Sequence, residues 1–127
     1  MTHRSRLAGF IIDCQTDDLD EAARFWSAAL GFPVNPHDDP AEDAYVHLQA
    51  RPADFHIEVQ KVNHPSRVHL DIESDDIPAE VERLERLGAK RLSQIKSWVV
   101  MEAPTGQRFC IVQKQNPGFD QTANNWD

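Results

Sequence analysis

Hydrophobic and polar positions are patterned most clearly over residues 66–87, SRVHLDIESDDIPAEVERLERL. Residues 68–73 alternate. On an extended strand Val68, Leu70 and Ile72 share the apolar face, and His69, Asp71 and Glu73 share the polar one. From Ile77 the period lengthens, and Ile77, Val81, Leu84 and Leu87 fall on one side of a helix over 77–87. Pro78 suits its first turn and Gly88 ends it. A fainter copy lies near the N-terminus. Residues 7–14 (LAGFIIDC) predict a strand with Phe10, Ile12 and Cys14 on one face and Ile11 and Asp13 on the other. Thr16, Asp17 and Asp18 offer helix-capping oxygens, and Asp20 and Glu21 suit the positive end of the helix dipole. Ala22, Phe25, Trp26, Ala29 and Leu30 form the inward stripe of that helix, Gly31 is its C-cap, and Pro33 blocks continuation.

Residues 35–43 (NPHDDPAED) read as an exposed polar loop. Residues 44–49 and 55–62 alternate as strands. In the second, Phe55, Ile57, Val59 and Lys61 share one face, and His56, Glu58, Gln60 and Val62 the other. Strands are also predicted over 91–95, 98–102 and 107–113, with a turn at Pro104, Thr105 and Gly106. Arg108, Cys110 and Val112 share a face of the last strand. Residues 114–127 read as irregular. Phe119 and Trp126 in that tail suggest docking on this domain or on a partner, with fraying as the alternative.

The two patterns repeat as a unit. Asp18 precedes Gly31 by 13 residues and Asp76 precedes Gly88 by 12. Each half reads as βαβββ, although the first offers only two clear strands after its helix. The implied fold class is α+β: one domain over 1–127, with module one over about 7–62, module two over about 66–113, and the tail.

Composition narrows the function. With 127 residues the chain is large enough for one cored domain, and its net charge of −8 disfavours nucleic acid and anionic membrane surfaces. No apolar run reaches the roughly 20 residues a bilayer requires. No secretory leader pattern opens the sequence, so its two cysteines, Cys14 and Cys110, read as free thiols of a cytoplasmic protein.

Four stretches together carry a resemblance: residues 18–32 (DLDEAARFWSAALGF), 67–71 (RVHLD), 76–88 and 98–112 (WVVMEAPTGQRFCIV). They resemble the vicinal oxygen chelate superfamily of glyoxalase and bleomycin-resistance proteins, and its small glyoxalase-like branch in particular. The resemblance implies two βαβββ modules forming an open barrel-like cleft, a homodimer, and a divalent metal held by one residue on the first and last strand of each module. Those positions fall on Ile11, Gln60, His69 and Cys110. Isoleucine cannot ligate, and one imidazole, one amide and one thiol leave hard cations such as Mg²⁺ short of carboxylates. The expected metal site is therefore degenerate and no cofactor is assigned, though a divalent metal is possible. An alternative ligand set is His56, Glu58 and His69 with Asp71, on strands that the repeat makes neighbours across the module seam. The plainer reading of those residues is the wet face of a sheet.

Three functions stay open. In one, an enzyme of lyase or isomerase type uses His69 and Glu58 as acid–base groups, and His56, Gln60, Asp71, Arg108 and Cys110 contact a small polar organic molecule in the cleft. In another, the chain binds or sequesters a small molecule without catalysis. A third possibility, a tail that docks a partner protein, rests on Phe119 and Trp126.

Overall fold

The computed structural model describes residues 2–35, 44–49 and 55–127. All but the first residue of the loop expected over 35–43 lies outside the described residues. The chain is a mixed α+β structure, with nine strands and three helices among the described residues. It divides into two compact units: Phe10–Val68, and Met1–Gly9 together with His69–Asp127. Strands β1 (His3–Gln15) and β5 (Arg67–Ser74) each run from one unit into the other.

In the unit over Phe10–Val68, β1 leads to α1 (Leu19–Leu30), β2 (Val34–Asn35), β3 (Tyr45–Leu48) and β4 (His56–Val62). The short β2 pairs with β3 and supplies the third strand missing from the sequence reading. Asp18 caps α1 by accepting from the Glu21 amide at 3.0 Å. At the other end Gly31 adopts the left-handed conformation, φ 75°, and its amide reaches Ser27 O. The helix stripe departs from expectation. Ala23 is buried, whereas Phe25 is 63% exposed and Leu30 41%. A helix turns about 100° per residue, so contact through the small Ala23 swings Phe25 off the sheet. Phe25 instead meets Trp26 edge-on at 5.1 Å.

In the other unit, β5 leads to α2 (Ile77–Arg86), β6 (Lys90–Ile95), β7 (Trp98–Glu102) and β8 (Arg108–Gln113). The strand order is β1-β5-β8-β7-β6, with β5 and β8 parallel. Asp76 caps α2, accepting from Ala79 N at 3.1 Å. Val81 and Leu84 of α2 pack on Val99, Met101 and Ile111, flanked by Ile72, Ile77 and Phe109. Leu87, expected inward, lies past the helix end and is 66% exposed.

The tail is ordered rather than irregular. It forms α3 (Phe119–Thr122) and β9 (Asn124–Trp126), and β9 pairs antiparallel with β1 through His3 and Trp126. Phe119 is buried. The tail therefore docks on its own chain.

The polar face of β5 is also more buried than alternation implied. Asp71 is 6% exposed and Glu73 0%, while Val68 and Leu70 stand in solvent at 60% and 43%. Partners distant in sequence explain Glu73. It accepts from the amides of Gln115 (2.7 Å) and Asn116 (3.0 Å) and from Asn116 Nδ2 (2.8 Å). Arg6 Nε lies 3.2 Å away. A buried carboxylate is tolerated when its lone pairs are filled in this way. Glu80, on α2, is equally enclosed. His3 Nε2 and Ser5 Oγ meet it at 2.7 Å, and Arg83 donates two bonds at 2.8 and 2.9 Å. Burial pushes the Glu80 carboxyl up, but the bonds from Arg83, His3 and Ser5 outweigh it and hold the group below its ordinary range.

Candidate functional site

Among the described residues each unit carries a cluster that includes expected site residues. In the unit over His69–Asp127 the cluster is built by the parallel β5–β8 ladder, whose register sets Asp71 beside Cys110. Paired residues on neighbouring strands project to the same side, and His69, two residues before Asp71, joins them. His69 Nε2 lies 3.6 Å from Asp71 Oδ1. One donor atom from each of His69, Asp71 and Cys110 falls within 4.8 Å of the other two. Asp71 is buried and its two neighbours are half-buried. Arg108, on the same side of β8 by alternation, is exposed and pairs in register with Glu102.

In the unit over Phe10–Val68 the β3–β4 ladder sets His47 opposite Glu58 and Tyr45 opposite Gln60. Glu58 Oε1 lies 3.5 Å from His47 Nδ1 and 3.9 Å from His56 Nε2, and Glu58 is 9% exposed. Gln60 Nε2 donates to the Tyr45 hydroxyl at 3.0 Å. In the same unit, Asp13 is buried and faces Arg67 Nε at 3.8 Å. Tyr45 and Asp13 do not stand out in the sequence as site residues, and His47 reads there as a surface or cleft-rim residue rather than a ligand. The alternation of 44–49 against 55–62 placed His47 and Glu58 on polar faces, but the hairpin register that unites them could not be read from spacing.

The expected residues thus separate into His69, Asp71 and Cys110 in one unit, with Arg108 close in sequence, and His56, Glu58 and Gln60 in the other. The four inherited metal positions do not fit a metal as a set. Ile11 is 2% exposed and offers only hydrocarbon, and the Gln60 amide is engaged by Tyr45. Cys14, a free thiol like Cys110, is pushed up by burial, and it bonds to Trp26. A cavity of about 410 Å³ opens on the α2 side of its sheet between Asp76, Ile77, Arg91 and Val99, and includes none of the expected site residues. Among the described residues no helix is long and apolar enough to cross a membrane.

A family model described as a glyoxalase-like domain matches residues 9–112. The chain belongs to the glyoxalase-like domain family. The resemblance read from RVHLD and the helix-Leu-Gly-Phe signature is borne out. Solved glyoxalase-like and related folds agree. A hypothetical protein, BH1468, from Bacillus halodurans C-125 superposes with a TM-score of 0.65 at 12% identity, covering 88% of this chain and 96% of its own. A methylmalonyl-CoA epimerase gives 0.59 at 14% identity, covering 87% and 95%. A glyoxalase/bleomycin resistance protein/dioxygenase superfamily member from Vibrio splendidus 12B01 gives 0.54 at 18%, covering 88% and 99%. At such identities the likeness is one of fold. Comparison with curated proteins gave no match.

Proposed function

We propose that this glyoxalase-like chain is a single domain of two modules, about 7–62 and 66–113, with a tail over 114–127. It binds a small polar organic molecule and moves a proton on the carbon beside a carbonyl group, a lyase- or isomerase-type step. The observation that carries this reading is the His69 imidazole set against the buried Asp71 carboxylate at 3.6 Å. Such a carboxylate orients the ring, so His69 can take a proton from the bound molecule and return it. Cys110 and Asp71 border the molecule, and Arg108 holds an anionic group on it. In the other module Glu58, between His47 and His56, is the acid–base group, with His56 and Gln60 as further polar contacts. Methylmalonyl-CoA epimerases share the fold, and inverting a carbon centre beside an acyl group calls for the same proton transfer. A divalent metal is compatible with the reading, and the assembly we assign is a homodimer.

The test is proton exchange. Substrate candidates with an acidic C–H beside a carbonyl, such as hydroxyketones and 2-substituted acyl thioesters, are incubated in D₂O and followed by NMR. Exchange that His69→Gln abolishes, in a protein with unchanged circular dichroism, supports the enzyme. Binding in a thermal-shift screen without exchange in any candidate favours the second reading, a non-catalytic binder. The specific observation behind that second reading is Ile11, apolar and buried where the family resemblance implied a metal ligand.

A further inference from the structure

We propose a second binding site on the α2 side of the sheet. The cavity beside the first turn of α2 takes a small zwitterion of the ω-amino acid class, with an ammonium group at one end, a carboxylate at the other and a hydrocarbon chain between. On β5, Ile72 packs toward α2, and alternation turns His69 and Asp71 to the opposite face. The cavity therefore lies across the sheet from that cluster, and the proposal does not rest on the proton-transfer reading.

The cavity, of about 410 Å³, falls in the size range of small-molecule sites. Part of its lining is apolar: Ile77 and Val81 come from α2 and Val99 from β7, and both valines are buried. Its charges come from two separate places. Asp75 and Asp76 join β5 to α2, and Arg91 stands on β6. Among the described residues none of the three makes an ion pair. Each has a neutral partner instead. Asp75 Oδ1 accepts from Arg4 N at 2.8 Å and Asp76 Oδ1 from Ala79 N at 3.1 Å, which leaves the second oxygen of each carboxylate to a ligand. Arg91 donates to Gln94 Oε1 at 3.0 Å and keeps its other N–H groups.

Charge and span choose the ligand. The start of a helix carries about half a positive charge and by itself favours an anion. Two carboxylates outweigh that, so the Asp75–Asp76 end takes a cation and the Arg91 end takes a carboxylate. The strand order puts β8 and β7 between β5 and β6, so β6 stands about 14 Å from β5 at the usual strand spacing. The Arg91 side chain, which lines the cavity, brings its charge closer. An α-amino acid, whose charges flank one carbon, cannot meet both ends. An ω-amino acid with about eight bonds between its charges reaches about 10 Å and can. Its methylene groups gain by leaving water for the surface of Ile77, Val81 and Val99.

The intact isotope-labelled protein is titrated with 8-aminooctanoate and followed by amide NMR. The expected result is saturable shifts at the amides of Ile77, Gln94 and Val99, with those of His69 and Cys110 unmoved. Octanoate lacks the cation and octylamine the carboxylate, and each is expected to bind at least about tenfold more weakly, as loss of one charge-assisted hydrogen bond implies. Arg91→Gln is expected to remove the preference for 8-aminooctanoate over octylamine. The double variant Asp75→Asn/Asp76→Asn is expected to remove the preference over octanoate, and asparagine still caps α2. Absence of saturable shifts around α2 and β6 overturns the proposal. So does octanoate or octylamine binding as tightly as 8-aminooctanoate, or an Arg91→Gln protein that still prefers the zwitterion to octylamine. Proton exchange dependent on His69 is measured independently, so the two proposals fail separately.

Discussion

Glu80 has no solvent exposure, yet its carboxyl is held below its ordinary 4.5 by Arg83, His3 and Ser5 in spite of burial. The sign of the linkage follows. A carboxyl depressed in the folded state adds stability that is complete above its unfolded value and is lost as pH falls through the folded one. Urea midpoints are expected to fall as the pH drops below 4.5, and Glu80→Gln is expected to flatten that acid limb. Glu80→Ala leaves Arg83 and His3 facing a void and is expected to cost about 3–5 kcal/mol, measured by denaturant unfolding. Nothing in EVERLERL marked Glu80 as buried, because two of its partners lie 77 and 75 residues away. His69 and Asp71 were readable as chemistry from alternation alone. Cys110 was placed with them only by a parallel ladder, which no local pattern encodes.

At the level of elements, both long helices could be read to within a residue or two, because their caps are local chemistry: Asp18 and Gly31 for α1, Asp76 for α2. The tail could not, since its structure depends on what it touches. Trp126 donates to Ser5 Oγ at 2.8 Å, and the Arg83 guanidinium sits 3.9 Å from its ring centre. Ser5 in turn bonds Glu80, so β9, β1 and α2 share one network. Trp126→Ala is expected to lower stability by about 2 kcal/mol, combining a lost hydrogen bond with a lost cation–ring contact. Deleting residues 115–127 is expected to cost more, because Glu73 then loses three amide donors and Phe119 is removed from its buried position. Thermal melts of the two variants check the order. Strand β6 is the opposite case. It ends the strand order and all six of its residues are exposed, so its amides are expected to exchange with deuterium well before those of β5 and β8.

For the whole molecule, the repeat was visible as two βαβββ halves, but the unit boundaries do not follow it. Residues Met1–Gly9 belong with His69–Asp127. They bring His3 and Ser5 to Glu80 and Arg6 to Glu73, and they offer β9 its pairing partner. A fragment over 66–127 therefore lacks groups that satisfy two buried carboxylates. It is expected to remain unfolded by circular dichroism, and to gain structure when a peptide of residues 1–15 is added.

This arrangement also has a consequence for the timing of synthesis. Translation proceeds at about 5–20 residues per second, and domains tend to form as their segments leave the ribosome. Here residues 3–6 are made well before the groups that satisfy them. His3, Ser5 and Arg6 emerge early, but Glu73, Glu80 and the closing strand that borders them are made seconds later. For that interval residues 3–6 are exposed to chaperones and to neighbouring nascent chains, and pairing with residues 124–126 completes their enclosure.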